Sequence, residues 1–240
     1  MFKEQVAVVT GASSGIGRAI AVALGEQRAT LCLVGRRPEL LELVAETARA
    51  SGVFARSYRA DLTLDDDIGE LAEALRREFG HVDILIHSAG SISLGNVATA
   101  PVSDFDAQFR ANVRAPYLLT QALLPMFRSR QGQVVFINSS VGLRTRPNVG
   151  QFSATQHALK ALADTLRDEV NSQGVRVLSV YPGRTATPRQ ATIHESEGRP
   201  YYPERLMQPE DIASVVINAL GLRGTAEVTD ITIRPFIKFD

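Results

Sequence analysis

The stretch that decides the fold is TGASSGIG, residues 10–17, a glycine-rich turn between two apolar segments. Residues 6–9 precede it as an uninterrupted apolar run, which is typical of a strand buried on both faces of a parallel sheet. Residues 18–25 follow it with a helical pattern. The sequence therefore predicts a strand, a tight turn and a helix in direct succession.

Three glycines give this turn its geometry. Gly11 lets the chain leave the strand sharply, Gly15 leaves backbone room for a phosphate, and Gly17 lets the helix pack closely on the strand. Free N–H groups and the dipole at the helix N-terminus attract an anion, and the hydroxyls of Ser13 and Ser14 add donors. Because this G-x-x-x-G-x-G pattern follows a strand and opens a helix, it favours a bound dinucleotide.

The composition excludes several classes of protein. With 26 basic and 26 acidic side chains among 240 residues, the chain has no general attraction to nucleic acid or to an anionic membrane surface. No apolar run approaches the length of a membrane span. The first strand begins so close to Met1 that we expect no signal peptide and a cytoplasmic protein. Cys32, the single cysteine, lies in an apolar stretch and is expected to be a buried core residue.

Strand-like and helical segments alternate along the whole chain. Strands are predicted at residues 6–9, 31–34, 53–58, 83–87, 134–138, 175–180 and 228–233, and helices at residues 18–25, 38–51, 65–79, 104–130, 150–172 and 209–222. Pro116 is a position where the helix over 104–130 can be disturbed. This alternation builds βαβ units. It predicts a single-domain Rossmann fold of the α/β class over residues 1–240, a doubly wound parallel sheet of about seven strands with helices on both faces.

Two arginines follow the second predicted strand. At this place an acidic residue would bind an adenosine ribose and repel a 2′-phosphate, but the chain has Arg36 and Arg37, with Arg18 close by on the first helix. Guanidinium groups suit a phosphate, so the pair favours NADP(H) over NAD(H). The alternative is a pair of solvated surface arginines.

Small and polar residues follow the next four strands. Asp61 and Leu62 come after the third strand, HSAG (87–90) after the fourth, NSS (138–140) after the fifth, and YPG (181–183) after the sixth. The carboxyl ends of parallel strands share one edge of a sheet, where ligands of such folds bind. We expect these residues to line one site.

In these motifs the chain resembles the short-chain dehydrogenase/reductase family along nearly its whole length, with HSAG where the family usually has NNAG. The resemblance implies a nicotinamide cofactor, hydride transfer to or from a carbonyl or alcohol carbon, a small-molecule substrate, and a homodimer or homotetramer. No metal site is expected. The cofactor-binding residues implied are Gly11, Ser13, Ser14, Gly15, Ile16, Gly17, Arg36, Arg37, Asp61, Leu62, Ser88, Ala89, Gly90, Gln156, Pro182, Gly183 and Thr185.

The catalytic motif departs from the family pattern. The family uses an asparagine, a serine and a Tyr-x-x-x-Lys pair; Asn112 and Ser140 match the first two, but the tyrosine falls on Phe152 and the lysine on Gln156. Phenylalanine has no proton to give, and the loss of a general acid typically lowers the rate by ~10²–10⁴-fold. The titratable groups considered as replacements are His157, Lys160, Tyr181, Tyr201 and Tyr202, and each is more simply explained by surface exposure or packing.

Residues 183–207 form the one long segment without a regular pattern, and we predict a substrate lid there. The segment carries four arginines and three glutamates: Arg184, Arg189, Arg199 and Arg205, with Glu195, Glu197 and Glu204. Together with Arg144 and Arg146, these arginines would bind an anionic or strongly polar substrate group. The alternative is a solvated loop whose charges pair with one another.

Three functions remain open from the sequence. The first is an NADPH-dependent reductase whose substrate needs little acid help, such as an iminium ion or an activated carbonyl. The second is a redox-neutral cyclase, isomerase or dehydratase on the same scaffold. The third is a non-catalytic NADP-binding or regulatory protein.

Overall fold

Seven strands form one parallel sheet in the computed structural model, which describes residues 1–127 and 132–237. In chain order they are β1 (Val6–Thr10), β2 (Thr30–Gly35), β3 (Ala55–Arg59), β4 (Ile84–His87), β5 (Gln133–Ile137), β6 (Arg176–Pro182) and β7 (Asp230–Ile233). The spatial order is β3-β2-β1-β4-β5-β6-β7, and every neighbouring pair is parallel. Strands β2 and β3 are added on one side of β1 and β4–β7 on the other, so the strand order reverses between β1 and β4, which is the place where α/β sheets bind ligands.

Eight α-helices within the same residues cover the sheet. They are α1 (Gly15–Glu26), α2 (Pro38–Ala50), α3 (Asp65–Phe79), α4 (Val102–Phe109), α5 (Ala115–Phe127), α6 (Gly150–Val170), α7 (Pro188–Ser196) and α8 (Pro209–Leu220). Successive residues of β1 point to opposite faces, so Ala7 and Val9 pack with α1, α2 and α8, while Val6 and Val8 pack with α3, α5 and α6. The predicted layers are therefore confirmed.

Backbone crowding explains the glycines of the first turn. Gly11 has a φ of +67°, and a Cβ there would lie 2.9 Å from the backbone N of Ala89. A Cβ on Gly17 would lie 2.5 Å from the carbonyl oxygen of Gly11. Glycine is thus required for the end of β1, the start of α1 and the end of β4 to meet.

The helix predicted over residues 104–130 is interrupted. It begins at Val102, and Arg110–Arg114 form a π-helical turn between α4 and α5, in which the N–H of Ala115 bonds to the carbonyl of Arg110. Pro116 has no N–H for the carbonyl of Asn112, so the α-helical ladder cannot continue through this turn. Residues 128–130 of the prediction lie outside the described residues.

The segment 183–207 is more regular than the sequence suggested. It contains α7 and a short 3₁₀ turn at Pro203–Arg205. The hydroxyl of Thr187 accepts a hydrogen bond from the N–H of Gln190 at 3.1 Å, and Pro188 occupies the first helical position. The prediction of an irregular segment was therefore wrong, because a side-chain cap and a proline start a helix there.

Two further expectations concern burial and membranes. Cys32 is fully buried, as predicted, and burial raises the pKa of its thiol. Among the helices within residues 1–127 and 132–237, none combines the length and the apolarity needed to span a bilayer.

Candidate active site

A cleft of about 1010 Å³ runs along the carboxyl edge of the sheet. It begins at the glycine turn and β2, passes the end of β4, and ends between α6 and the segment after β6. Gly17 does not line the cleft, since it packs under the turn. The predicted residues that do line it are Gly11, Ser13, Ser14, Gly15, Ile16, Arg36, Arg37, Asp61, Leu62, Ser88, Ala89, Gly90, Asn112, Ser140, Phe152, Gln156, Pro182, Gly183 and Thr185.

Arg36 and Arg37 stand at one end of the cleft. The Nη2 atom of Arg37 donates to the hydroxyls of Ser13 and Ser14, each at 3.0 Å. Arg36 Nη1 lies 4.0 Å from a carboxylate oxygen of Asp61, and its side chain is largely exposed. Two guanidinium groups therefore border the glycine turn and present donors to a phosphate.

Asp61 is an ionised carboxylate beside this turn. Burial opposes its ionisation, but the N–H and hydroxyl of Thr63 donate to it and Arg36 attracts its charge. The net effect lowers the pKa of Asp61 below its usual value. Asp61 is thus an acceptor within the cleft at neutral pH.

The middle of the cleft is held by a buried hydroxyl. Thr10 at the end of β1 accepts hydrogen bonds from the N–H groups of Ser88 and Ala89, at 3.0 and 3.1 Å, and donates to the carbonyl of Ile86 at 3.2 Å. This single side chain fixes the path of the chain after β4. The backbone at that point is therefore rigidly placed against the glycine turn.

Asn112 connects the loop after β4 to α6. Its Oδ1 accepts from the N–H of Ser91 at 2.7 Å, and its Nδ2 donates to the carbonyl of Ser91 and to the hydroxyl of Thr155. A Cβ on Gly90 would lie 2.8 Å from Asn112 Oδ1. Asn112 thus positions the walls at this end of the cleft.

Phe152 and Gln156 lie on the cleft-facing side of α6. The side chain of Gln156 is buried, and its Nε2 lies 3.4 Å from the hydroxyl of Thr155. The backbone carbonyl of Gln156 accepts from Asn138 Nδ2 at 3.0 Å, which ties α6 to the end of β5. Neither side chain ionises, so this pair supplies hydrogen bonding and apolar surface but no proton exchange.

None of the five replacement candidates lines the cleft. His157 Nδ1 pairs with the carbonyl of Ser153 at 2.8 Å, and Lys160 bonds to Asp164 at 2.5 Å. Tyr181 is completely buried. The hydroxyl of Tyr201 lies 3.5 Å from the carbonyl of Thr187, and Tyr202 packs under the guanidinium of Arg205.

His87 is a titratable residue that lines the cleft. The sequence predicted its place at this edge of the sheet but did not identify it as a possible acid. Burial lowers its pKa to about 3, and its Nε2 pairs with the hydroxyl of Thr120 at 2.8 Å. The ring also stacks on Phe136. His87 is therefore neutral at pH 7 and held by packing, which makes it a poor proton donor.

The predicted anion-binding arginines separate into two groups. Arg184, Arg189 and Arg146 line the cleft, whereas Arg144, Arg199 and Arg205 do not. Arg184 donates to Glu197 at 2.6 Å, and Arg146 contacts the other oxygen of the same carboxylate at 3.4 Å. At this end of the cleft, Arg184 and Glu197 therefore pair within the segment. This is part of what the alternative, a loop whose charges pair with one another, predicted.

Sequence reasoning missed several residues of the cleft. They include Thr187, Gln190, Asp106 and Arg110. The Thr-Pro pair at 187–188 carried a recognisable signal, because it is the start pattern of a helix. Asp106 and Arg110 carried none, since ordinary surface helices have the same charges.

Known proteins with similar sequences show which family this chain belongs to. The family model for short chain dehydrogenase matches residues 5–198. The chain belongs to the short chain dehydrogenase family. One relative is an uncharacterised oxidoreductase of Staphylococcus epidermidis. It is 32% identical to this chain over 234 residues, which cover 97% of this chain and 98% of the relative.

Solved structures similar to this chain cover nearly all of its fold. The alcohol dehydrogenase of the archaeon Thermococcus sibiricus, complexed with 5-hydroxy-NADP, has a TM-score of 0.89 at 27% identity, covering 98% of both chains. A metagenomic short-chain oxidoreductase in complex with NADP has a TM-score of 0.85 at 30% identity, covering 99% of both chains.

Proposed function

We propose that this protein is an NADPH-dependent oxidoreductase that reduces a substrate needing little general-acid help, such as an imine, an iminium ion or an activated carbonyl. The observation that carries the proposal is the cleft itself. Two guanidinium groups stand at one end, and the other end is lined by Asn112, Ser140, Phe152 and Gln156. The cleft thus supplies groups that can bind the cofactor. The phenyl ring of Phe152 stands where the family has its proton-donating tyrosine.

The residues present fit NADP(H). The glycine turn leaves backbone space that a Cβ on Gly11 or Gly15 would disturb, and Arg36 and Arg37 suit a 2′-phosphate. The NADP complexes of the two solved relatives support the same cofactor. When bound, NADPH supplies a hydride at the nicotinamide ring.

The side chains at the catalytic end favour an already activated carbon. An iminium carbon carries positive charge and becomes a neutral amine on accepting hydride, whereas a ketone becomes an alkoxide that needs a proton. Ser140 can donate a hydrogen bond to a polar substrate atom, and Phe152 contributes apolar surface to the same cleft. Orientation and exclusion of water are then the main contributions of the protein.

The test compares a cyclic imine with the ketone of the same ring, by following NADPH oxidation. We expect the wild-type protein to reduce the imine with a kcat/KM ~10²–10⁴-fold above that for the ketone. The double variant Phe152→Tyr with Gln156→Lys should raise ketone reduction, because the lysine charge lowers the pKa of the new tyrosine. Phe152→Leu is the matched control and should leave the ketone rate low.

Two results would contradict the proposal. Rapid ketone reduction by the wild type that survives in Phe152→Leu would mean that another acid operates. NADPH binding without oxidation of any substrate would favour the alternatives, a redox-neutral cyclase, isomerase or dehydratase, or a non-catalytic NADP-binding protein.

We further propose that residues 183–207 close over a small, anionic substrate. Arg184 and Arg146 share one carboxylate, Glu197, so a net positive charge remains at that end of the cleft. Substrate affinity should fall in Arg146→Ala while NADPH affinity is kept; unchanged affinity for substrate would refute the charge preference. The cytoplasmic location stays a prediction from the sequence.

A homodimer or homotetramer is proposed as the assembled form. The exposed side chains of Val102, Phe109 and Tyr117 supply apolar surface on α4 and α5. Light scattering measures the assembly directly, and a monomer at micromolar concentration would contradict it.

A further inference from the structure

Arg189 reaches across the cleft from the first turn of α7. Its Nη2 donates to the carbonyl oxygen of Gly90, after β4, at 2.6 Å. The two residues are 99 positions apart in the chain. Both line the cleft, so this bond joins the segment after β6 to the middle of the sheet edge.

The guanidinium of Arg189 forms no ion pair with any residue that the structure describes. Arg184 and Arg146 pair with Glu197, and Arg36 faces Asp61. Within residues 1–127 and 132–237, no carboxylate lies within ion-pair distance of the Arg189 guanidinium. The side chain of Arg189 is exposed to the solvent of the cleft, and its bond to Gly90 leaves most of its N–H donors available. A guanidinium in that position stays charged and is stabilised when an anion joins it.

The position of Arg189 along the cleft indicates which anion would pair with its guanidinium. Two residues earlier, the methyl group of Thr187 lies 3.1 Å from the place where a Cβ on Gly15 would stand. The start of α7 therefore lies directly over the glycine turn, while Gly90 neighbours Asn112. Arg189 stands between the phosphate-binding turn and the catalytic end, where the diphosphate of an extended dinucleotide must pass.

We propose that Arg189 binds the cofactor diphosphate from the side opposite the glycine turn. This assignment rests on the NADP(H) binding proposed above. The bond to Gly90 engages one of the five guanidinium N–H donors and orients the plane of the group. The remaining donors then form charge-assisted hydrogen bonds with phosphoryl oxygens, so cofactor binding also fastens α7 over the cleft.

Calorimetric titration with two cofactor fragments tests this role without any turnover. One fragment is 2′-phospho-ADP-ribose, which keeps the diphosphate; the other is 2′,5′-ADP, which lacks it. Arg189→Met should raise the Kd of the first by ~10–100-fold, as expected for lost hydrogen bonds to a charged group. The Kd of the second should change by less than about twofold.

Two further variants control for folding and for general charge. Arg189→Lys keeps the charge without the fork and should bind 2′-phospho-ADP-ribose with intermediate affinity. Arg199→Met removes a positive charge from the same segment at a position outside the cleft, and should leave both dissociation constants within about twofold.

Each contrary result has its own meaning. If Arg189→Met raises the Kd of both fragments equally, or raises neither Kd, the diphosphate assignment is overturned. A rise confined to substrate KM at saturating NADPH would overturn it in favour of a substrate anion. Wild-type protein that binds neither fragment would overturn the NADP(H) function and this assignment together, so the two failures are distinguishable.

Discussion

At the scale of single residues, Arg36 and Arg37 present their charges in different ways. Arg37 is fixed by hydrogen bonds to Ser13 and Ser14, so its guanidinium is oriented before any ligand arrives. Arg36 is largely exposed and only loosely attracted by Asp61 at 4.0 Å. An oriented donor loses less conformational entropy on binding than a free one.

This difference leads to a prediction for cofactor choice. Arg37→Ala should raise the Kd for NADPH by ~10-fold or more, and Arg36→Ala by less, because the oriented group contributes more to binding. The Kd for NADH should change little in either variant. Calorimetric titration measures all four values, and Arg36→Asp combined with Arg37→Ala should reverse the preference. Equal affinity of the wild type for NADPH and NADH would refute the phosphate role of both residues.

Residues close together in sequence were the predictable ones. The glycine turn and the Arg36–Arg37 pair lie within short segments, where spacing alone indicates a phosphate site. The contact of Arg189 with Gly90 was not predictable, because it depends on how α7 folds back over the sheet. The sequence already favoured surface exposure or packing for Lys160 and the tyrosines, and none of these side chains lines the cleft.

At the scale of secondary structure elements, α7 is stabilised by an ion pair at its end. Burial opposes the ionisation of Glu197, but the hydrogen bond and charge of Arg184 outweigh this, with help from Arg146. The pKa of Glu197 is therefore lowered in the folded protein. Because its folded pKa lies below the unfolded value, the ionised pair stabilises the fold above the ordinary carboxyl range, and this contribution is lost as the pH falls through the folded pKa.

We accordingly predict a pH-dependent effect of Glu197→Gln. At pH 7 this change should lower the free energy of unfolding by about 1–3 kcal/mol, because Arg184 loses its counter-ion. The difference from wild type should shrink as the pH falls below about 4.3. Urea unfolding at a series of pH values measures it, with the exposed Glu195→Gln as control. A difference that stays constant with pH would show that the charge of Glu197 contributes nothing.

The helices differ in how well they can be predicted from the sequence. The bounds of α3, Asp65–Phe79, were predicted correctly, because acidic residues fill its first turn and Gly80 ends it in a left-handed conformation. Helix α7 was missed, since prolines and arginines around it resemble a loop. The π-helical turn at Arg110–Arg114 was also missed, because one proline in a sequence does not reveal how the preceding carbonyls rearrange.

At the scale of the whole molecule, Thr10 joins the two halves of the sheet. It ends β1 and is completely buried, and the backbone after β4 bonds to its hydroxyl. The glycine turn and the loop that carries Gly90 are therefore linked through this side chain. The shape of the cleft depends on this bond more than on any surface ion pair.

Replacing this hydroxyl should affect stability and binding together. Thr10→Val keeps the shape but leaves two backbone N–H groups unpaired, which should lower the free energy of unfolding by about 1–3 kcal/mol. NADPH affinity should fall as well. Thr47→Val, on the exposed face of α2, is the matched control and should cost less than about 0.5 kcal/mol in urea unfolding. Equal effects of the two valine substitutions would contradict the special role of Thr10.

The fold class was predictable from alternation, whereas the strand order required pairing information. Continuous apolar strands separated by helices indicate a parallel sheet. The same apolar pattern does not tell which strand lies beside which, because pairing partners such as Val9 and Ile86 are far apart in the chain.

The central place of β1 has a consequence for biosynthesis. β1 precedes the other six strands of this sheet in the chain, and its neighbour β2 follows it closely, but its other neighbour begins only at Ile84. Until that residue has been translated, one edge of β1 is an open template for strands of other nascent chains. We expect a product terminated before Ile84 to aggregate through this edge, so that the yield of native protein depends on how quickly translation proceeds from β2 to β4.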